Sequence, residues 1–164
     1  MHERSPFKHE HADDSPGFLL WKLTALWQEK LAGVLAPFGI TQTQYAIMAS
    51  LRWFEERAEP PTQTHLVLHT KIEKMTLSKA IRKLEDEGHV ARAVSAADSR
   101  ATEVRFTAKG RRLVERAVVA IENADDEFFG GLASAELRSY KELTRALIAQ
   151  NGISVATEER IGNA

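Results

Sequence analysis

Residues Ile72 to Thr107 read IEKMTLSKAIRKLEDEGHVARAVSAADSRATEVRFT, and the reading of this stretch decides the fold. Leu77, Ile81 and Leu84 recur at i, i+4 and i+7, the spacing of one apolar helix face turned to a core. The opposite face carries Thr76, Ser78, Lys79, Arg82 and Lys83, a mixture of short hydroxyls and long cations. A helix of this kind fits the DNA major groove, where hydroxyls, Arg and Lys bond to base edges or phosphates. Gly88 supplies the residue that ends such a helix. Two strands are then expected, Arg92 to Val94 and Thr102 to Phe106, around a polar turn holding Asp98, Ser99 and Arg100. A recognition helix followed by a hairpin with a basic tip is the layout of a winged helix-turn-helix.

Charge along the chain agrees with that reading. The 164 residues carry a formal net charge of −1. From Thr62 to Arg112, however, eleven Lys and Arg face six Asp and Glu, while the remainder holds eleven basic against seventeen acidic residues. Positive charge is concentrated where phosphate contact is suspected, and a local basic face matters more to DNA affinity than the overall balance. The sequence has no cysteine, which excludes disulfides and thiol chemistry. No apolar run approaches the 18 residues of a membrane span, and the start MHERSPFKHEHADD has no apolar core of a secretion signal. A cytoplasmic, DNA-associated protein without membrane contact is expected.

Outward from the central stretch, residues 1–15 read as a flexible polar tail and 151–164 as a frayed one. From Pro16 to about Ala36, Phe18, Leu19, Leu20, Trp21, Leu23, Leu26, Trp27 and Leu31 occupy most of a helix circumference. A helix apolar nearly all round must be covered on more than one side, and in so short a chain a second copy is the expected cover. Thr41 and Gln44 form a capping box for a second helix, Thr62 can cap a short third one, and a minimal extra strand before the wing is possible. Thr107 opens a long helix that Gly130-Gly131 breaks, and Ser134 is read as the cap of a final helix. The fold class is mainly α with a small β-hairpin wing. Residues 41–107 are expected to form a winged helix-turn-helix lobe, with helical segments 16–37 and 108–150 on either side of it, all within a single unit 16–150.

PFGITQTQYAIM, EKMTLSKAIRKLEDEGHVAR, the wing DSR and FTAKG, in this order and spacing, resemble the MarR family of bacterial transcriptional regulators over nearly the whole chain. The resemblance implies a homodimer on double-stranded palindromic operator DNA, with 16–37 and 108–150 interlocked into a helical dimerisation body. It places Met75, Thr76, Ser78, Lys79, Arg82 and Lys83 toward the major groove and Arg100 in the adjacent minor groove, with Asp98 orienting Arg100. Phe18, Trp21, Leu137, Tyr140, Leu143 and Leu147 are the expected dimer contacts. Two departures stand out: His65, Val67 and His69 where the family has small or acidic residues, and Ser99 where a second wing arginine is common. Family members commonly bind a small aromatic effector, and Trp27, Tyr45, Met48 and Trp53, with Phe54, are candidates to line such a pocket. Each of these is also an ordinary core residue by type.

Other chemistries find little support. His65 and His69 lie at i, i+4, but the spacing fixes no acidic third ligand and there is no cysteine, so no metal and no cofactor are expected. The two can equally donate to a DNA backbone or simply lie at the surface. No nucleophile–base pair or Gly-rich phosphate loop occurs, and Asp125-Asp126 reads as solvated charge, so the chain is not read as an enzyme. The reading is therefore a homodimeric, sequence-specific repressor released by a small aromatic effector. The alternative is a winged-helix module that binds protein without reading DNA.

Overall fold

The computed structural model describes residues 6–57 and 60–152. Their order is α1 (Pro16–Leu35), α2 (Gln42–Glu55), α3 (Gln63–Thr70), α4 (Lys74–Asp86), β1 (Val90–Val94), β2 (Thr102–Phe106), α5 (Ala108–Phe129) and α6 (Ser134–Asn151), with 3-10 turns at Ala12–Asp14 and Ala36–Phe38.

Local chemistry sets most of these boundaries. Thr41 Oγ1 accepts from the Gln44 amide at 3.1 Å while the Gln44 side chain accepts from the Thr41 amide at 2.9 Å, so α2 begins with a reciprocal cap. Thr62 caps α3 reciprocally with His65, and Thr107 caps α5 one way, its hydroxyl accepting the Gly110 amide at 3.1 Å. Gly88 stands at φ 73°, the left-handed conformation that closes α4 at no side-chain cost. Lys71 takes the same conformation at φ 59° to turn the chain between α3 and α4, where a side chain costs about 1–2 kcal/mol.

Helices α2, α3 and α4, the hairpin and the first turns of α5 enclose one core. Ile47, Met48, Leu51, Leu66, Leu77, Ile81, Leu84, Val104 and Val114 are fully buried in it. The hairpin is antiparallel with Val90 opposite Phe106 and Val94 opposite Thr102. Its first strand begins two residues before the expected Arg92, because Val90 is buried and starts the pairing. The expected minimal extra strand is a single bridge between Thr62 and Glu103, next to a hydrogen bond from the Val104 amide to the Pro61 carbonyl at 3.0 Å.

Outside the lobe, α1 lies along α5, joined by Lys30 and Glu127 at 2.8 Å and by an edge contact of Trp27 on Phe128. Leu35 is its one buried residue. Leu19, Leu20, Trp21 and Leu26 are exposed, with Trp21 at 73%. Helix α6 buries none of its residues; Leu143, Leu147 and Ile148 stand in solvent, and Tyr140 touches Phe129 with ring centres 5.1 Å apart. Ser134 is the first residue of α6 and not its cap: the Ala133 amide, one residue earlier, donates to Glu136 at 2.7 Å. Of the expected amino-terminal tail, residues 12–14 form a 3-10 turn and Asp13 pairs with Lys22 at 2.6 Å, while 1–5 lie outside the described residues. Asn151 ends α6, and the rest of the carboxy-terminal tail, 153–164, also lies outside them.

Candidate nucleic-acid interface

Helix α4 is held from behind by Leu77, Ile81 and Leu84, each with no exposed surface. That anchoring turns Met75, Lys79, Arg82 and Asp86 outward as one stripe; Thr76 and Lys83 flank it on one side and Ser78 on the other. Met75 is 72% exposed, an unusual state for an unbranched apolar side chain away from any core. Among the described residues Lys79 and Arg82 have no ion-pair partner. Lys83 differs: its ammonium lies 3.2 Å from Glu87, which draws the cation toward the end of the helix. Thr76 is also engaged, its hydroxyl donating to Glu73 at 3.3 Å.

Glu73 is a functional candidate that pattern alone does not single out. It caps α4, accepting the Met75 amide at 2.8 Å and the Thr76 amide at 3.0 Å. These hydrogen bonds hold its carboxyl below the usual range, so the helix start carries a fixed negative charge. Asp, Asn, Ser and Thr are the usual signals of a helix start, and a glutamate in that place is easily read as one more surface charge. Gln63, the first residue of α3, is a second such residue; its side-chain carbonyl accepts the Ser78 hydroxyl at 3.3 Å.

At the wing tip, Asp98 Oδ1 accepts both the Arg100 amide at 2.9 Å and Arg100 Nε at 3.3 Å. The Arg100 side chain is 91% exposed. The Ser95 amide reaches the Ala101 carbonyl at 2.9 Å and the Ala97 amide reaches Ser95 Oγ at 3.2 Å, so the loop behind the tip is itself hydrogen-bonded. The wing base is tied to α4 by Arg92, which donates to Glu85 through its amide at 3.1 Å and through Nε at 2.8 Å. That contact lowers the Glu85 carboxyl's proton affinity and engages the Arg92 guanidinium within the lobe.

The aromatic candidates do not converge. Met48 is fully buried in the lobe core. Tyr45 packs half-buried against that core, and burial, with Glu122 nearby, pushes its hydroxyl up. Trp53 lies at the far end of α2 against Phe54 and His69, with the Arg57 guanidinium 3.4 Å over its ring. Trp27 alone borders a large cavity, about 480 Å³, which Leu20, Phe128, Phe129, Leu137 and Tyr140 also line between α1, α5 and α6. Expected dimer contacts Phe18, Trp21, Leu143 and Leu147 are exposed, whereas Leu137 and Tyr140 are half-buried against this cavity. His69 Nδ1 shares a hydrogen bond with Ser50 at 2.9 Å, and His65 Nδ1 accepts the Thr62 amide at 3.4 Å, so both rings serve the packing of α3 on α2. Among the described residues no group of three His, Asp or Glu is placed to hold a metal ion, and no helix is long and apolar enough to cross a membrane.

Residues 37–124 match the ArnR1-like winged-helix domain family. The chain is 31% identical over 129 residues to an uncharacterised HTH-type transcriptional regulator, YdcH, of Bacillus subtilis, covering 79% of this chain and 88% of the relative. Among solved structures it superposes on Bordetella bronchiseptica BpsR, whose DNA binding is regulated by 6-hydroxynicotinic acid. The TM-score is 0.76 at 25% identity over 87% of this chain and 97% of that one. It superposes equally on a mutant MarR from E. coli complexed with operator DNA, with a TM-score of 0.75 at 20% identity over 86% and 99% of the two chains.

Proposed function

We propose, from the fact that this chain belongs to the ArnR1-like winged-helix family, is related to HTH-type transcriptional regulators and has the fold of MarR, that it acts as a homodimeric repressor which reads a palindromic operator and is released by a small aromatic acid or phenol. The observation that carries the DNA reading is the outward stripe of α4: Met75, Lys79 and Arg82 stand exposed on a helix whose opposite face is wholly buried. A rigid helix with unpaired cations and an apolar tip suits the major groove, where Arg bonds guanine edges and apolar groups meet the thymine methyl. Arg100, held upright by Asp98 at the wing tip, suits a narrow minor groove, whose negative potential attracts a guanidinium.

Dimerisation is supported by α6, which buries nothing in the single chain, and by the exposed Trp21, Leu26, Leu143 and Leu147. A contiguous apolar surface on both terminal helices is what a two-fold, self-complementary interface needs. Two lobes carried on one rigid body present two recognition helices to successive turns of the duplex, and a dimer seated there excludes other proteins from the site.

An effector is supported by the cavity of about 480 Å³ beside Trp27, Phe128, Phe129 and Tyr140. Its aromatic walls suit a flat ligand, and Asp125, Asp126 and Lys141 on its border offer polar contacts, the aspartates to a phenol hydroxyl and the lysine to a carboxylate. Because the cavity lies between α1, α5 and α6, a bound ring acts on the spacing of the two lobes, and it lowers DNA affinity only if it binds the DNA-free spacing more tightly. The test is titration of duplex binding with a panel of aromatic carboxylates and phenols. Release of DNA by at least one member, abolished by Trp27→Ala, is the expected result; unchanged affinity across the panel removes the effector from the reading.

A further inference from the structure

The recognition face includes one hydroxyl whose hydrogen-bonding sense is set by a neighbouring helix. Ser78 lies on the flank of α4 nearest the start of α3, half-buried, and its Oγ donates to Gln63 Oε1 at 3.3 Å. Among the described residues neither side chain has another hydrogen-bond partner. A serine hydroxyl owns one proton and two lone pairs, and is otherwise indifferent between donor and acceptor partners. With its proton given to Gln63, Ser78 has only lone pairs left for anything approaching from outside.

We infer that Gln63 is a specificity-determining positioning residue: by taking the Ser78 proton it makes Ser78 an acceptor only, so that the base beneath must present an amino group. This rests on the proposal that α4 enters the major groove. In that groove adenine and cytosine present amino donors, N6 and N4, whereas guanine and thymine present the acceptors O6 and O4. Against a lone-pair-only hydroxyl, a keto base leaves two acceptors facing each other with no proton between them. An unconstrained serine rotates its proton and accepts either class. Gln63 therefore discriminates amino from keto bases without touching the base, and it does so from a different helix than the one in the groove.

The experiment is selection of bound sequences from a randomised duplex library by the full chain and by Gln63→Leu, Gln63→Glu and Ser78→Ala. Wild type should prefer adenine or cytosine about five- to tenfold over guanine or thymine at one position of each half-site, the size of one well-placed hydrogen bond. Gln63→Leu, which removes the acceptor, should bring that preference below about twofold at the position where Ser78→Ala also loses it, leaving the other positions unchanged. Gln63→Glu keeps an acceptor for the Ser78 proton; it should retain the amino preference while binding more weakly to every sequence because of its added negative charge. Urea unfolding of each variant confirms that the lobe is intact. A keto preference at the Ser78 position in wild type overturns the inference. So does a Gln63→Leu profile that matches wild type, or one that weakens uniformly, which is what a merely structural contact gives. If wild type enriches no sequence at all, the proposal that α4 reads DNA fails first, and the two failures are thereby told apart.

Discussion

In the proposed reading of DNA two arginines divide the work, and their surroundings say how. Arg82 stands on a helix fixed by a buried stripe and has no anionic partner among the described residues, so it can reach a guanine edge bidentately. Replacing it with Ala should cost about 1–3 kcal/mol in operator binding and relax preference at one position of each half-site. Arg100, almost fully exposed and steered by Asp98, should behave differently: Arg100→Ala should weaken binding to many sequences, most of all where the flanking minor groove is narrow. Asp98→Ala should act in the same direction as Arg100→Ala and more weakly, because it frees the guanidinium without removing it. Equilibrium binding of the three variants to an operator library measures the contrast. A different residue governs pH dependence. His89 follows Gly88 at the foot of α4, buried, and its Nδ1 has no hydrogen-bond partner. Burial first, and then the nearby Lys109 ammonium, depress its proton affinity, with Glu87 opposing them more weakly. The unfolded chain therefore takes up this proton near the ordinary histidine value of about 6.5, before the folded chain does. Its contribution is fully present above that pH and is lost as the pH falls through the lower folded value. Urea midpoints should decline from about pH 7.5 to about pH 5, and His89→Leu should flatten the decline. The lowered carboxyls of Glu85 and Glu103 act only at more acidic pH. A wild-type midpoint that rises on acidification contradicts this.

At the scale of elements, the residues that follow α4 are tied to the start of α5 by hydrogen bonds and a close backbone approach. The Thr107 hydroxyl donates to the Gly88 carbonyl at 2.7 Å and accepts the Gly110 amide at 3.1 Å, and the Thr107 amide donates to the His89 carbonyl at 3.1 Å. Gly110 lies so close that a Cβ built on it would stand 1.9 Å from the His89 carbonyl oxygen, a backbone atom that cannot yield alone. Gly110→Ala should therefore destabilise by more than about 3 kcal/mol, at the extreme of single substitutions, while Thr107→Ala should cost about 1–2 kcal/mol as a lost cap, both read from denaturant unfolding. The glycine of FTAKG is legible as part of a motif, but its reason is not: the close approach involves His89, twenty-one positions away, and no local pattern records it. The same limit explains the rest of the comparison. The order of helices, the wing and the buried stripe of α4 follow from local periodicity and caps, so they are legible. Residue type alone makes Lys83 a phosphate contact and Trp53 a pocket wall, whereas their partners Glu87, Phe54 and His69 decide what they do. Met48 looks available for a pocket because periodicity separates inside from outside and says nothing of which inside positions border a void. Gln63 escapes a sequence reading because its importance lies in a contact between two helices.

Across the whole molecule, the two terminal helices expose what a stable monomer would hide. Trp21 and Leu20 on α1 and Leu143 and Leu147 on α6 are each at least 60% exposed. Covering them with a second copy makes folding and association one process, so the melting temperature should rise with protein concentration. Leu143→Glu combined with Leu147→Glu should give monomers at micromolar concentration by sedimentation and weaken operator binding far more than any single lobe contact, since two half-sites are then no longer engaged together. Unchanged mass for that double variant would place the interface elsewhere. Whether two such lobes on one body read DNA sequence is decided by selection from a randomised duplex library followed by binding across a salt series. An enriched inverted repeat with half-site centres roughly one helical turn apart, bound by two protomers, is the expected result, with log affinity falling linearly as log salt rises. Enrichment of no sequence, together with binding indifferent to salt, would contradict it.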